Sequence, residues 1–108
     1  MFFNICPTVT IDLKNIKSNY LAVNSIVNKQ TVVSAVVKND AYGLGAQKVS
    51  ESLYEAGCRD FWVAYIKEAI DIRRILPLDA NIYFLQGFDE SCIDLIKTYK
   101  IIPVINSL

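Results

Sequence analysis

The stretch that decides the fold is Ala35-Val36-Val37-Lys38-Asn39-Asp40-Ala41-Tyr42-Gly43-Leu44-Gly45. It closes an apolar run over residues 31–37, whose Val and Thr content is typical of a strand buried on both faces. Asn39, Asp40 and the two glycines favour a tight loop directly after that strand. Lys38 is therefore predicted to lie where a strand ends, at the edge of an α/β sheet where ligands and chemistry collect.

Four amphipathic helices are predicted from the spacing of apolar residues. Asp12 is a candidate N-cap for the first helix, and Gly57 is a candidate C′ residue for the second. The third helix covers residues 67–76, and Asp89 is a candidate N-cap for the fourth. The residues expected to face the core are Leu13, Ile16, Tyr20, Val23, Val27, Ala46, Val49, Leu53, Ala56, Ala69, Ile72, Leu76, Cys92, Leu95, Ile96 and Tyr99.

Strand-like segments alternate with these helices. Besides residues 31–37, the segments are 8–11 as a short β-like entry, then 61–65, 82–85 and 101–105. Such alternation favours a mostly parallel sheet with right-handed crossovers, and hence the α/β class. An open four-stranded sheet is one solution. The other is a partial (β/α)8 TIM-type barrel with the first four strands only, because a whole barrel needs roughly 250 residues and the chain has 108.

The composition describes one packed domain without a nucleic-acid or membrane surface. Hydrophobic residues make up 53% and charged residues 20% of the chain. Eleven basic residues balance eleven acidic ones, with no block of either sign, which disfavours nucleic-acid binding. No segment reaches the ~18 apolar residues of a membrane helix, and no leader pattern opens the chain. A cytoplasmic location is expected.

The cysteine and histidine content limits the available chemistry. Cys6, Cys58 and Cys92 are an odd number at wide spacing, which indicates free thiols in a reducing compartment. The chain has no histidine. Histidine metal sites and histidine acid/base catalysis are therefore excluded, and no metal site is predicted. The carboxylates fall mostly on polar helix faces and are assigned to surface and capping roles.

Lys38 and Tyr42 are the residues that suggest chemistry. A neutral lysine amine among apolar neighbours is the nucleophile that condenses with a carbonyl group. The hydroxyl of Tyr42, together with backbone N–H groups near Gly43 and Gly45, suits an anionic group. The alternatives are a surface lysine that extends its charge into water and a tyrosine of the core.

The stretch from Val36 to Gly45 closely resembles the pyridoxal-phosphate attachment motif of alanine racemases. The likeness extends to other parts of the chain, namely 9–13 with Asn19, 53–57, Glu68-Ala69 with Ile72-Arg73, 82–87 and 103–108. The resemblance implies that residues 1–108 are an incomplete N-terminal pyridoxal-phosphate-binding α/β barrel domain. It also implies the interconversion of L- and D-alanine.

Three site residues follow from the resemblance. Lys38 is implied to bind pyridoxal 5'-phosphate covalently and to act as catalytic base or acid on one face of the substrate. Tyr42 is implied to hydrogen-bond the cofactor phosphate. Leu85, by its position in the third strand, is implied to pack near the cofactor.

The chain departs from the family pattern within the motif and in extent. The family usually has alanine where Asn39 stands and histidine where Leu44 stands, so the hydrogen bonds that set Lys38 and Tyr42 are expected to be looser. In the family, a tyrosine from a C-terminal β-domain serves the opposite face of the substrate across a dimer interface. That domain is expected to be absent, and the chain alone is expected to be inactive.

Three alternatives to an active racemase stay open. One is a chain that needs a separately encoded remainder or a homo-oligomer. Another is a non-catalytic remnant that binds pyridoxal phosphate. The last is an unrelated small α/β domain with a fortuitous motif.

Overall fold

The computed structural model describes residues 8–87 and 89–105. The four helices are α1 (Leu13–Ile26), α2 (Ala46–Glu55), α3 (Ile66–Arg73) and α4 (Ile93–Tyr99). The four strands are β1 (Ala35–Val36), β2 (Asp60–Val63), β3 (Asn81–Phe84) and β4 (Ile102–Pro103). A single turn, Lys38–Tyr42, follows β1 and is called the lysine turn below, and a short 3-10 segment, Glu90–Cys92, precedes α4.

The four strands form one parallel sheet in the order of the chain, β1-β2-β3-β4. The register pairs Val36 with Trp62, Trp62 with Tyr83, and Tyr83 with Ile102. Parallel pairing needs a crossover between consecutive strands, and helices supply it. The carboxyl ends of all four strands therefore lie at one edge of the sheet, which confirms the predicted α/β arrangement.

The core lies between one face of the sheet and helices α2 and α3. Alternate strand residues, Phe61 and Val63 in β2 and Ile82 and Phe84 in β3, are completely or almost completely buried on this face. The helices contribute Val49, Leu53, Ala69 and Ile72, as predicted from their spacing. Leu76 is also buried, but it lies beyond α3, which ends at Arg73 rather than at the predicted residue 76. Burial of this apolar surface holds the layers together.

Within residues 8–87 and 89–105, no helix covers the opposite face of the sheet. Trp62 and Tyr83 lie there with their rings stacked, the centroids 4.3 Å apart and the planes 12° from parallel. Val36 on the same face is 46% exposed. The prediction of a first strand buried on both faces was therefore wrong, because the helices cover only one side.

The first strand is also shorter than residues 31–37. The register with β2 covers Ala35 and Val36, and the N–H of Val37 adds one bond to the carbonyl of Trp62 at 2.8 Å. Val32 is 71% exposed. The short strand expected at residues 8–11 does not form either, since these residues have no regular secondary structure.

The outer helices are less buried than predicted. No residue of α1 or α4 is fully buried; Val23 and Leu95, both expected to face the core, are exposed. The reason is position: α1 packs on α2 beyond the sheet, and Lys17 of α1 forms an ion pair with Glu55 of α2 at 2.5 Å.

The predicted caps are confirmed. Asp12 accepts hydrogen bonds from the N–H groups of Lys14 at 2.9 Å and Asn15 at 3.4 Å, at the start of α1. Asp89 accepts from Ser91 N–H at 3.0 Å and begins the 3-10 segment before α4.

Gly57 ends α2 with a φ of +110°. The N–H of Gly57 donates to the carbonyl of Tyr54 at 3.0 Å, and that of Cys58 donates to Leu53 at 2.9 Å. This pair of bonds is a Schellman motif, for which a left-handed C′ residue is required.

Pro103 is accommodated in β4 because that strand lies at the free edge of the described sheet. Its neighbour Val104 donates an N–H bond to Phe84 at 3.0 Å, which continues the pairing. None of the helices in the described part of the chain has the length and hydropathy that a membrane crossing requires. The prediction for Cys6 and the resemblance at 106–108 lie outside the described residues.

Candidate functional site

The lysine turn has a left-handed backbone. Residues 39 to 42 have φ values of 51°, 55°, 55° and 57°, and Gly43 continues with 88°. Outside glycine, a left-handed conformation costs roughly 1–2 kcal/mol per residue, and Asn and Asp tolerate it best. The sequence places Asn39 and Asp40 first in the turn, which agrees with the loop chemistry predicted there.

Backbone hydrogen bonds close the turn on itself. Ala41 N–H donates to Val37 at 3.0 Å, and Gly43 N–H donates to Asn39 at 3.0 Å. Gly45 N–H donates to Asp40 at 2.8 Å. The carboxylate of Asp40 accepts from Ala46 N–H at 2.8 Å, so this side chain also satisfies the first residue of α2.

A second carboxylate, that of Glu68, fastens the turn to the neighbouring strand–helix unit. Its Oε2 accepts from the N–H of Asn39 at 2.7 Å, across 29 positions of sequence. Its Oε1 accepts from Ala64 N–H at 3.1 Å and Tyr65 N–H at 3.0 Å, at the start of α3. Hydrogen bonds to a charged group contribute about 1.5–3 kcal/mol. Glu68 therefore offsets part of the cost of the left-handed turn.

Both residues that flank Lys38 are hydrogen-bonded to the same neighbouring segment. Val37 N–H donates to the carbonyl of Trp62 at 2.8 Å, and Asn39 N–H donates to Glu68. The backbone of Lys38 is thus held from both sides relative to β2 and the start of α3.

The three sequence-predicted site residues lie at one edge of the sheet. Lys38 and Tyr42 share the lysine turn; Lys38 is half-buried and Tyr42 is 62% exposed. Leu85 directly follows β3, is 40% exposed, and donates its N–H to Val63 at 3.0 Å. Adjacent strands are about 4.8 Å apart, so β3 lies about 10 Å from β1. The structure brings Lys38 and Tyr42 together and sets Leu85 two strands away.

The site offers an amine, a hydroxyl and open space. Among the residues that the structure describes, no protein group forms a hydrogen bond or ion pair with the side chains of Lys38 or Tyr42. A Cβ placed on Gly43 or Gly45 would meet no atom within 4 Å, so the outer side of the turn is open. A primary amine that can bond to an aldehyde and a nearby phenol that can donate to a phosphate fit pyridoxal phosphate.

The two departures from the family motif lie in this turn. Asn39 occupies a left-handed position, and the half-exposed Leu44 donates its N–H to Ala41 at 3.1 Å. The hydrogen bonds given above run through the backbone, Asp40 and Glu68. The expected loosening around Lys38 and Tyr42 stays a prediction.

From the sequence, Glu68 is placed among the carboxylates with surface and capping roles and in the resemblance at Glu68-Ala69. Its partner Asn39 is distant in sequence, so no local pattern identifies that contact. The contact of Glu68 with the start of α3 did have a local signal. Tyr65 and Glu68 have the spacing of a capping box, whose first position is normally Ser or Thr.

The sheet has four parallel strands in chain order, which is the arrangement of the opening part of a (β/α) barrel. A half-buried lysine follows the first strand at its carboxyl end, so the class is a (β/α) barrel with a lysine at that edge. A family model described as alanine racemase, N-terminal domain, matches residues 11–108. The chain belongs to this family.

Individual alanine racemases are similar to this chain in sequence. The chain is 43% identical over 102 residues to the alanine racemase of Rickettsia canadensis (strain McKiel), covering 94% of this chain and 28% of the relative. It is 44% identical over 100 residues to the alanine racemase of Brucella ovis, covering 93% of this chain and 25% of the relative. The chain thus spans about a quarter of the length of the curated relatives that it matches.

Solved structures show the same fold. The alanine racemase of Bartonella henselae, a crystal structure with covalently bound pyridoxal phosphate, superposes with a TM-score of 0.83 at 43% identity. The match covers 90% of this chain and 27% of that one. The alanine racemase of E. faecalis gives a TM-score of 0.84 at 27% identity, over 90% and 26% of the two chains. The four-stranded sheet is therefore the N-terminal part of the alanine racemase barrel.

Proposed function

We propose that residues 1–108 form the cofactor-lysine part of a pyridoxal-phosphate-dependent alanine racemase, corresponding to the N-terminal portion of its barrel domain. The observation that carries the proposal is the placement of Lys38. It stands at the carboxyl end of the first strand, on a turn that also carries the exposed Tyr42. The family and the Bartonella henselae relative with covalently bound pyridoxal phosphate support the choice of cofactor.

In this proposal, the Nζ of Lys38 would bond to the cofactor aldehyde carbon, and its free amine would take or give the proton on one face of the α-carbon of alanine. When bound, pyridoxal phosphate supplies the electron sink that spreads negative charge from that carbon. The hydroxyl of Tyr42 would donate to the phosphate, and Leu85 would pack near the cofactor.

We infer that these 108 residues alone do not racemise alanine. A racemase moves a proton on both faces of the α-carbon, and Lys38 serves one. The uncovered face of the sheet, with Val36, Trp62 and Tyr83, supports assembly with further barrel strands supplied by another chain or by a homo-oligomer. A chain that binds cofactor without catalysis is the alternative.

We place this chain in the cytoplasm. The described thiols Cys58 and Cys92 are free, which agrees with a reducing compartment.

Trapping of the cofactor tests the site. The purified chain is incubated with pyridoxal phosphate, reduced with borohydride and mapped by peptide mass spectrometry. The expected result is an adduct on Lys38 that disappears in Lys38→Arg. The exposed Lys48 of α2 gives a matched control, because Lys48→Arg should leave the adduct unchanged. An adduct spread over many lysines would overturn the assignment.

Formation of D-alanine tests the activity. The chain is incubated with pyridoxal phosphate and L-alanine, alone and together with a second chain that supplies the remaining three quarters of a relative. Turnover only in the mixture supports a racemase part that needs a partner. Clear turnover by the chain alone would contradict the inferred inactivity, and an adduct without turnover in either case would favour the cofactor-binding alternative.

A further inference from the structure

The carboxylate of Glu68 lies between the lysine turn and the start of α3. Each of its two oxygens accepts hydrogen bonds from a different one of these segments. Within the described residues, Oε2 accepts from Asn39 alone, whereas Oε1 accepts from both Ala64 and Tyr65. All three donors are backbone N–H groups. The side chain of Glu68 thus connects the segments that follow β1 and β2 at the edge of the sheet that carries Lys38.

We propose that Glu68 is a positioning residue for Lys38: its carboxylate holds the peptide group after Lys38 and so sets where the lysine amine meets the cofactor. The chemical consequence rests on the proposed function, since it concerns the reaction of Lys38 with pyridoxal phosphate. The hydrogen bond from Asn39 to Glu68 does not depend on the proposed function, because its effect can be measured without cofactor.

The geometry explains why this bond matters for the lysine. Val37 N–H is fixed to the carbonyl of Trp62, which orients the chain before Lys38. After Lys38, the backbone enters the left-handed region at Asn39. Without an acceptor for Asn39 N–H, the peptide group between Lys38 and Asn39 can rotate, and the side chain of Lys38 then starts from a different direction.

The two oxygens allow the two roles of Glu68 to be separated. In Glu68→Gln the side chain has one acceptor oxygen and one NH2 group. Two donors converge on the Oε1 side, so the amide oxygen should face Ala64 and Tyr65. The NH2 group would then face the N–H of Asn39, and two donors would oppose each other. The cap of α3 is kept while the bond to the lysine turn is lost.

Glu68→Asp gives a second variant with the charge retained. Its carboxylate is one methylene shorter, so it reaches the nearby N–H groups at the start of α3 but not Asn39. The matched control is Glu55→Gln, which neutralises a carboxylate that bonds only to Lys17 at the surface.

Amide hydrogen exchange on the cofactor-free chain tests whether Glu68 holds the N–H of Asn39. In Glu68→Gln and Glu68→Asp, the exchange of Asn39 should accelerate by roughly 10-fold or more, with Ala64 and Tyr65 changed by less than about 3-fold. Glu55→Gln should leave all three unchanged. Unaltered exchange at Asn39 in the folded Gln or Asp variant would overturn the proposal. If amides throughout the chain lose protection in Glu68→Gln, the exchange of Asn39 in Glu68→Asp decides whether the proposal holds.

Borohydride trapping and the absorbance of the lysine-bound cofactor test the consequence. At a subsaturating concentration of pyridoxal phosphate, both Glu68 variants should form the Lys38 adduct at least ~5-fold more slowly than wild type and Glu55→Gln. If Asn39 exchanges faster but the variants form the adduct at the wild-type rate, the proposed effect of Glu68 on Lys38 is overturned. If wild type forms no adduct, the proposed function fails, and the exchange at Asn39 still decides whether Glu68 holds the turn.

Discussion

Arg73 donates a hydrogen bond from Nη2 to the carbonyl oxygen of Ala80 at 2.7 Å, and both residues are buried. The same guanidinium donates to three more carbonyls, those of Pro77 at 2.8 Å, Tyr99 at 2.9 Å and Lys100 at 3.2 Å. It therefore ties the end of α3 to the turn before β3 and to the turn before β4. Burial lowers the pKa of Arg73, with nearby Asp79 acting in the opposite direction, but an arginine stays charged in proteins.

Replacement of this guanidinium should destabilise the chain strongly. Arg73→Met removes the guanidinium donor from four carbonyls, although that of Pro77 still accepts the N–H of Ala80 at 3.1 Å. We expect a loss of about 2–4 kcal/mol in the free energy of unfolding, measured by urea denaturation. The neighbouring Arg74 is the matched control, since it is exposed and contacts the ring and hydroxyl of Tyr99. Arg74→Met should cost clearly less than Arg73→Met. Equal losses for the two variants would contradict this account.

The left-handed turn makes a prediction about Asn39. Alanine is less favourable than asparagine at a φ of 51°, so Asn39→Ala should lower the free energy of unfolding by about 1 kcal/mol. Asn39→Gly should be neutral or slightly stabilising, because glycine has no steric cost there. Both are measured by thermal and urea unfolding. A more stable Asn39→Ala variant would show that the turn is not left-handed at this position.

The C′ position of α2 gives a further test. Gly57→Ala should cost about 1 kcal/mol in unfolding free energy, because φ is +110° and the two Schellman bonds depend on it. No neighbouring atom lies within 4 Å of an added Cβ, so the cost is conformational and not steric crowding. Gly57→Asn should lose less than Gly57→Ala, and the reverse order would argue against a left-handed cap.

The buried thiol of Cys58 links stability to pH. Burial raises the pKa of Cys58, so the folded chain holds this proton more tightly than the unfolded chain, in which a cysteine pKa is about 8.5. The resulting stability is fully present below that pH and is lost as the pH rises through the higher folded value. We expect urea-unfolding free energies to fall from about pH 8.5 upward, and less steeply in Cys58→Ala. Parallel pH profiles for wild type and variant would contradict this prediction.

The elements that the sequence predicted well are those fixed by local chemistry. Asp12 and Gly57 cap their helices as expected because a cap depends on a few neighbouring residues. Ala69 and Ile72 face the core because α3 packs directly on the sheet. The placement of Lys38 at the end of a strand follows in the same way from an apolar run and the turn residues after it.

The elements that were missed depend on distant partners. Residues 31–34 have strand composition, yet only Ala35 and Val36 find a neighbour, in β2. Glu68 looked like one surface carboxylate among many, because its contact with Asn39 lies 29 positions away. A run of apolar residues does not reveal which side of a sheet will be covered.

The two hydrogen bonds that flank Lys38 also bear on the order of assembly during synthesis. Their partners, Trp62 and Glu68, both precede β3 and β4 in the chain. The hydrogen bonds on either side of Lys38 therefore involve the first two strands and the start of α3, and β3 and β4 come later in the chain. We expect the lysine to be in place early, as the nascent chain emerges from its amino end, before the polypeptide that completes the barrel has been made.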